Sequence, residues 1–287
     1  MTLKTCLLVA ASALMLGAIY LVATGNREPV YEGRTLGNWL EDLDPFAGGP
    51  KHEAAKHAVN VIGTNGFLTL FRLLTAEDSA VKMWCMTVLS KQSIVDFNLT
   101  VSYTKNMKAV WGFDALGEAG NPAIPRLVNM LHHDARHAGM AAQALSRMSR
   151  EGMASLISAL DDRATFHRPA MAISLSNAKW ETERAVSVLM TCLKDSDANV
   201  RQTSAVALGH TAKYPDRVVP ALAEALSDPD QYVRLFAAKS LGDFGAAASS
   251  AVPQLLKSLD DPVPDVRDAA SQALIKIGHT QHIDAKH

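Results

Sequence analysis

A nine-residue pattern recurs at a fixed interval and limits what this chain can fold into. Residues 193–201, 226–234 and 259–267 all read Leu-x-Asp-x-x-x-x-Val-Arg, with both intervals 33 residues long, and the same step back from Arg201 reaches Arg168. A unit of this size cannot bury its hydrophobic face alone. The chain is therefore expected to be a stack of similar units that share one continuous core.

Leucines keep the same register as the arginines. A leucine follows each arginine by seven residues, at Leu175, Leu208, Leu241 and Leu274. An earlier unit is predicted from Leu74, with Lys82 at the arginine position and Leu89 at the leucine position. The unit after Leu131 is one residue short and has Ala138 at the arginine position.

Each period divides into two amphipathic stretches, for example 218–226 and 232–241, whose apolar residues recur at intervals of three and four. Between them lie Pro229, which suits a first helical turn, and Asp230, which can cap free amide groups. The unit is predicted to be a helical hairpin. The fold class is therefore all-α, a solenoid of stacked hairpins with a long concave surface.

The pattern breaks between Ser90 and Lys108, where the leucine and arginine positions are missing and β-branched and polar residues are frequent. We interpret about residues 91–107 as an insertion that projects as a loop and carries distinctive contacts. The stretch 109–120 resembles the second helix of a unit. Its Leu116-Gly117 is matched to Leu208-Gly209 and Leu241-Gly242.

The N-terminus carries the clearest targeting signal. Residues 6–24 form 19 consecutive residues without charge or proline, close to the roughly 20 needed to cross a bilayer core. Residues 1–25 are predicted to be an uncleaved signal anchor, with a cleaved signal peptide as the alternative. Either reading favours export of the body. With the uncleaved anchor, the chain is predicted to be a single-pass membrane protein whose solenoid lies on the extracytoplasmic side. The charges flanking the segment do not decide orientation strongly.

Between the anchor and the repeats, residues 26–50 are predicted to contain a short cap helix over 36–43 that buries Trp39, followed by a Gly/Pro linker. The solenoid is predicted over 51–278 and a polar, frayed tail over 279–287. Three cysteines lie at wide spacings within apolar patterns, which predicts buried thiols rather than a disulfide framework or a zinc site. They are Cys6, Cys85 and Cys192.

The Asp-x-x-Val-Arg turn, the Ala-rich second helix ending in Leu-Gly and the proline of the first helix resemble the HEAT-repeat superfamily over about 51–278. The segments 31–40 and 57–68 also resemble membrane-anchored bacterial HEAT proteins of the planctomycete and verrucomicrobial kind. The superfamily resemblance implies an α-solenoid that most often binds proteins. The second resemblance implies an exported bacterial protein with no assigned chemistry.

Some HEAT relatives are enzymes, so fold does not decide function. The HEAT-type hydroxylases that modify a lysine derivative hold two irons with repeated His-Glu pairs, whereas this chain has one such pair, His52-Glu53, and no second pair at an equivalent position. The related bilin lyases offer no short motif to match. No Gly-rich phosphate loop, nucleophile elbow or pair of catalytic carboxylates is visible, and we predict no catalytic residue and no cofactor.

Three further groups of residues could form a site. His132, His133 and His137 are the metal-like cluster, although a turn falls among them, and a solvated loop is the preferred interpretation. The repeat arginines are predicted to hydrogen-bond turn carboxylates and carbonyls of their own and adjacent units. Three tryptophans could line a groove but are more readily explained as core residues. They are Trp84, Trp111 and Trp180.

The charges nearly cancel, with 28 basic and 29 acidic residues and a net charge of −1, so no global field favours nucleic acid. The sequence therefore predicts a membrane-tethered, non-enzymatic scaffold that binds a protein of unknown identity. The alternative is a metal-binding protein or metal-dependent enzyme that uses the histidine cluster.

Overall fold

The structure is a computed structural model that describes residues 28–279 except 44–47, 81–100, 163, 164, 166, 178 and 181. Its helices are labelled here in chain order. The first seven are α1 Leu36–Leu40, α2 Gly49–Ile62, α3 Phe67–Leu74, α4 Ser102–Leu116, α5 Ile124–His133, α6 Ala138–Met148 and α7 Arg150–Asp161. The next seven are α8 Arg168–Ser174, α9 Thr182–Cys192, α10 Ala198–Thr211, α11 Pro215–Ala225, α12 Gln231–Asp243, α13 Val252–Ser258 and α14 Pro264–Ile277. Short 3₁₀ segments at Gly63–Gly66, Gly117–Ala123, Leu175–Asn177 and Gly245–Ala251 lead into or follow these helices.

From α3 onward, first helices alternate with second helices. The first helices are α3, α5, α7, α9, α11 and α13, and the second helices are α4, α6, α8, α10, α12 and α14. Neighbouring second helices contact one another far more extensively than neighbouring first helices do. The stack therefore curves with its second helices on the inner side, and the predicted solenoid is confirmed for the described residues.

The turn between the two helices of a unit is held by aspartates. In the turn before α12, the Asp230 carboxylate accepts the backbone N–H groups of Tyr232 at 2.9 Å and Val233 at 3.1 Å. The Asp228 carboxylate accepts the N–H of Asp230 at 2.9 Å. These bonds satisfy amide donors that have no partner at a helix N-terminus, which explains why the pattern is rich in aspartate.

Small residues allow the second helices to approach closely. A Cβ atom placed on Gly209 would lie 2.4 Å from the Ser240 Oγ and 2.9 Å from the Ser240 Cα. The Ser240 hydroxyl is buried and donates to the Ala205 carbonyl at 2.9 Å, one unit away. The Leu-Gly pair at 208–209 therefore marks a helix-packing contact rather than a turn.

The N-terminal end of the solenoid is covered by a small hairpin and α1. Strands Val30–Tyr31 and Arg34–Thr35 pair antiparallel, which the sequence does not predict. Trp39 on α1 is 6% exposed and donates its indole N–H to the Tyr31 carbonyl at 3.1 Å. The helix predicted over 36–43 ends at Leu40, and the predicted linker is too long, because α2 already begins at Gly49.

The predicted match of Leu116-Gly117 to the other Leu-Gly pairs is wrong. Gly117 and Gly245 both adopt φ of +55° and both open a seven-residue 3₁₀ segment, which ends before Ile124 and Val252 respectively. Leu116-Gly117 is thus equivalent to Phe244-Gly245 and not to Leu241-Gly242. Counting back from these glycines by 11 residues gives Arg234 in one unit and Asn106 in the other.

Asn106 performs the carbonyl-binding role of the arginines from a shorter side chain. It is 6% exposed, and its amide donates to the carbonyls of Leu73 at 2.9 Å, Leu74 at 2.8 Å and Ala76 at 3.2 Å. The Leu73 and Leu74 carbonyls lie in the last turn of α3, and the Ala76 carbonyl follows its end. The insertion predicted over 91–107 ends before Ser102, because 102–108 form the first turns of α4. Lys82, Trp84, Cys85 and Leu89 lie outside the described residues.

Replacing Asn106 by alanine is expected to lower the free energy of unfolding by about 1–3 kcal/mol, because buried carbonyls lose their donor. Chemical unfolding followed by circular dichroism measures the change. Asn60→Ala is the matched control, since the Asn60 amide is exposed while it donates to the Ala115 carbonyl. Equal effects of the two replacements would contradict the role assigned to Asn106.

In the part of the chain that the structure describes, no helix is long and apolar enough to span a bilayer. The predicted anchor at 6–24 lies outside that part, as do Cys6 and the tail after His279. Cys192 is a free, buried thiol, and burial is the main cause that raises its pKa.

Candidate protein-binding surface

The repeat arginines connect successive turns. Arg201 donates from Nη1 to the Asp195 carbonyl of its own turn at 2.8 Å. Its Nε and Nη2 atoms donate to the two carboxylate oxygens of Asp228 in the next turn, both at 2.8 Å. Arg234 repeats this arrangement with the Asp228 carbonyl at 2.9 Å and the Asp261 carboxylate at 2.8 and 3.0 Å. We call this series the arginine ladder.

The ladder has two variant ends. Arg168 is buried and donates to the Leu160 carbonyl at 3.1 Å and to the Asp195 carboxylate at 2.5 Å. Arg267, in the last described unit, donates to the carbonyls of its own turn at Asp261 and Pro262. The arginines are thus occupied by carboxylates and carbonyls of the turns, which leaves them few donors for an external anion.

The contacts between Arg234 and Asp261 shift the pKa of both residues. The hydrogen bond from Arg234 holds the pKa of Asp261 below its ordinary value, and the same bond raises the pKa of the Arg234 guanidinium. A carboxyl group whose pKa is lower in the folded state stabilises the fold above its unfolded pKa. That contribution is lost as the pH falls through the lowered folded pKa.

The contribution of the Arg234–Asp261 pair should be visible in how stability changes with acid pH. We expect the wild-type chain to lose stability as the pH falls below the ordinary value of 3.8 for an aspartate. Asp261→Asn should be less stable at neutral pH and should lose less on acidification. Urea midpoints measured from neutral pH to about pH 2 give both slopes, and parallel slopes would contradict the assignment.

The three histidines do not converge. Because α5 ends at His133, His132 and His133 are adjacent residues of one helix and point about 100° apart, and His137 lies beyond the turn. The His132 Nδ1 lies 3.3 Å from the Thr165 hydroxyl, and the His137 Nδ1 lies 2.9 Å from Asp134. In the described residues, no group of three or more His, Cys, Asp or Glu side chains could hold a metal ion.

His137 instead joins a polar contact between units. Burial alone would raise the pKa of the Asp134 carboxyl, but its hydrogen bonds with His137 hold that pKa below its ordinary value. Arg136 donates to the Glu77 carboxylate at 3.0 and 3.1 Å. Both partners of this Arg136–Glu77 pair are exposed, unlike those of the arginine ladder.

The inner surface of the solenoid exposes a different set of side chains. We define stripe positions as those one, two and five residues after the arginine position of each second helix. Asn106 occupies the arginine position in α4, and Ala138 occupies it in α6. From α4 to α12 most stripe positions are half-buried and apolar. The apolar members that pack onto the core are Trp111, Met140, Ile173, Leu235 and Phe236. Further half-buried apolar members are Met107, Ala170 and Val206. We call this surface the inner stripe.

The inner stripe is closely packed between α6 and α8. A Cβ atom on Gly139 would lie 3.6 Å from the Ala170 Cβ of the next second helix, which is ordinary van der Waals contact. Lysines bound the stripe at its two ends. Lys108 pairs with Glu41 at 3.2 Å, and the Lys239 Nζ lies 5.4 Å from the centre of the Phe236 ring.

A cavity opens at the α4 end of the inner stripe. Its volume is about 400 Å³, and Trp111, Trp180 and Met148 contribute its apolar lining. Charged residues line it as well: Lys56, and Lys179 with Asp114, which form a salt bridge of 3.0 Å. Both tryptophans are half-buried and line this groove, and Trp111 also packs against the core, as the sequence favours. His52 also lines this cavity, and it belongs to no group of three or more possible metal ligands among the described residues.

Sequence reasoning missed Asn106 and the inner stripe for different reasons. Asn106 stands in an arginine position hidden by the wrong match of the Leu-Gly pairs, although the spacing of Gly117 and Pro125 against Gly245 and Pro253 could have revealed it. The inner stripe has no motif, because its members are ordinary apolar residues. These residues differ from core residues only in being partly exposed, and that exposure depends on how the helices pack.

The helical hairpins, their regular interval and their inner and outer surfaces define the chain as an α-solenoid. The sequence model of HEAT repeats matches residues 153–228 and 219–285. These residues therefore belong to the HEAT-repeat superfamily, and the predicted superfamily is confirmed. The closer resemblance to planctomycete-type proteins stays a prediction.

Several solved structures show a distant similarity to the chain. Human deoxyhypusine hydroxylase in complex with glycerol has 20% identity, with 85% of this chain and 95% of that chain covered and a TM-score of 0.39. An engineered protein has 20% identity, with 86% and 68% covered and a TM-score of 0.41. Kap121p bound to Nup53p has 14% identity, with 85% and 29% covered and a TM-score of 0.47. No protein of curated function matches the chain in sequence.

Proposed function

We propose that this chain is a non-enzymatic scaffold that binds a protein partner along the inner stripe. The observation that carries the proposal is the run of half-buried apolar side chains across five neighbouring second helices, from Trp111 on α4 to Phe236 on α12. Contiguous exposed apolar surface bounded by polar residues marks interaction sites in soluble domains. Aromatic residues at the two ends supply the kind of anchor that dominates binding energy.

The finer part of the proposal concerns location. Residues 6–24 would tether the scaffold to a membrane as a single-pass anchor and hold the solenoid on the extracytoplasmic side. The near-neutral charge supports a protein partner over nucleic acid. Protease protection in spheroplasts tests the location, because an extracytoplasmic solenoid is digested in intact spheroplasts and a cytoplasmic one is protected.

Affinity purification of the full-length chain after crosslinking in its own cells tests the binding function. We expect the wild type to capture a protein partner in stoichiometric amount. The double variant Ile173→Glu, Val206→Glu should not capture that partner. Leu68→Glu is the matched control, since Leu68 is 60% exposed on the first helix α3, outside the inner stripe. Capture that is equal for the wild type and the inner variant would overturn the proposed surface.

A further inference from the structure

The centre of the inner stripe carries no charge. None of the stripe positions on α6, α8 and α10 holds an ionisable side chain, and lysines occur only where the stripe ends, at Lys108 and Lys239. A charged partner group loses hydration when it binds, and an uncharged surface offers no interaction that offsets this free-energy cost. Charge complementarity therefore requires a segment whose contacting face is apolar and uncharged.

The centre of the inner stripe also offers few hydrogen-bonding groups. The Thr203 hydroxyl already donates to the Asn199 carbonyl at 2.8 Å. Gln143 and Gln202 are the other polar residues at these central positions. An extended peptide would need partners for its backbone N–H and C=O groups, and each group buried without one costs about 1–3 kcal/mol. An α-helix satisfies these groups internally and needs only side-chain contact.

The dimensions suit a helix of ordinary length. Five second helices spaced by about 9 Å give a stripe of about 36 Å, which a helix covers with about 24 residues. The cavity beside Trp111 and Trp180 lies at one end of this path and has room for one large side chain of the bound helix.

We infer that the partner segment is an amphipathic α-helix that lies along the inner stripe with an uncharged apolar face. Its anchor side chain enters the cavity between Trp111 and Trp180. The inference rests on the proposed function and names the chemistry of the partner. It distinguishes this surface from one that binds an extended or a charged peptide.

Two fluorescent peptides of identical composition and about 24 residues test the inference. One places leucines at helical spacing among glutamine and serine, and the other alternates them at strand spacing. Fluorescence anisotropy measures binding to the full-length chain in lipid nanodiscs, with empty nanodiscs as the blank. We expect the helical peptide to bind at least about tenfold more tightly than the alternating one.

Variants locate the binding. Ile173→Glu and Trp180→Ala should each weaken binding of the helical peptide by at least about tenfold, whereas Leu68→Glu should leave it unchanged. Circular dichroism melting curves confirm that each variant folds. Equal binding of both peptides, tighter binding of the alternating peptide, or no binding of either would overturn the helix inference.

The capture experiment separates failure of the inference from failure of the function. A partner captured through the inner stripe, together with no preference for the helical peptide, would overturn the helix and leave the scaffold intact. A photocrosslinker at Val206 identifies the occupant directly. Crosslinks spaced by three or four residues in a partner support the helix, whereas crosslinks to residues 6–24 of the chain itself or to a second copy would overturn it.

Discussion

Arg234→Ala is expected to lower the free energy of unfolding by about 2–4 kcal/mol. Removing one member of a well-buried ion pair costs about 3–5 kcal/mol, because the remaining partner keeps an uncompensated charge. Slight exposure of the pair reduces this free-energy cost. The Arg234 and Asp261 side chains are 13% and 8% exposed and share two hydrogen bonds. The loss should appear as a lower urea midpoint, and it includes the bond to the Asp228 carbonyl.

Arg217→Ala is the matched control. Arg217 pairs with Glu183 at 3.3 Å, but the two side chains are 44% and 71% exposed, and exposed pairs contribute about 0–1 kcal/mol. The double replacement Arg234→Ala with Asp261→Ala should be less destabilising than the sum of the single ones, because no unpaired charge remains. An unchanged midpoint for Arg234→Ala would end the structural interpretation of the ladder.

Gly209→Ala is expected to destabilise the chain by about 1–3 kcal/mol, the usual range for overpacking. The new methyl group would lie 2.4 Å from the Ser240 Oγ and 2.9 Å from the Ser240 Cα, so moving the hydroxyl alone does not relieve the contact. The helices α10 and α12 must separate, which also weakens the buried bond from Ser240 to the Ala205 carbonyl.

Gly139→Ala is the matched replacement on another second helix. Its new methyl group would make ordinary contact with Ala170 at 3.6 Å. Alanine is favoured over glycine by about 0.5–1 kcal/mol in a helix interior, and by less at the second residue of α6. This variant should be as stable as the wild type or more stable. Thermal melts of the two variants side by side decide the matter, and a Gly209→Ala variant as stable as Gly139→Ala would contradict the close approach.

The repeat could be predicted from sequence because its markers have local physical causes. Aspartates such as Asp230 cap a helix and arginines such as Arg234 bind the next turn, so both types recur at the interval of the unit. The arginines are predicted to bind turn carboxylates and carbonyls of their own and adjacent units. In the structure Arg234 binds a carbonyl of its own turn and a carboxylate of the adjacent one.

The match of Leu116-Gly117 to Phe244-Gly245 could not be found in the same way. The dipeptide Leu116-Gly117 looks like the helix-packing pair Leu208-Gly209, but Gly117 is needed for its positive φ at a helix end. One dipeptide cannot distinguish these two uses of glycine. The exposure of Trp111 and Trp180 was equally hidden, because it depends on how α4 meets the segment before α9.

The uneven ladder gives the two ends of the solenoid different mechanical properties. Bidentate or buried Arg–Asp ties begin at Arg168, whereas the units before it have Asn106 or Ala138 at the arginine position, and their Arg136–Glu77 pair is exposed. In a stack where each unit contacts only its neighbours, extension under load starts at the weakest junction. A chain pulled from its two ends would therefore yield first among its N-terminal units, while its C-terminal units extend last as a stiff block.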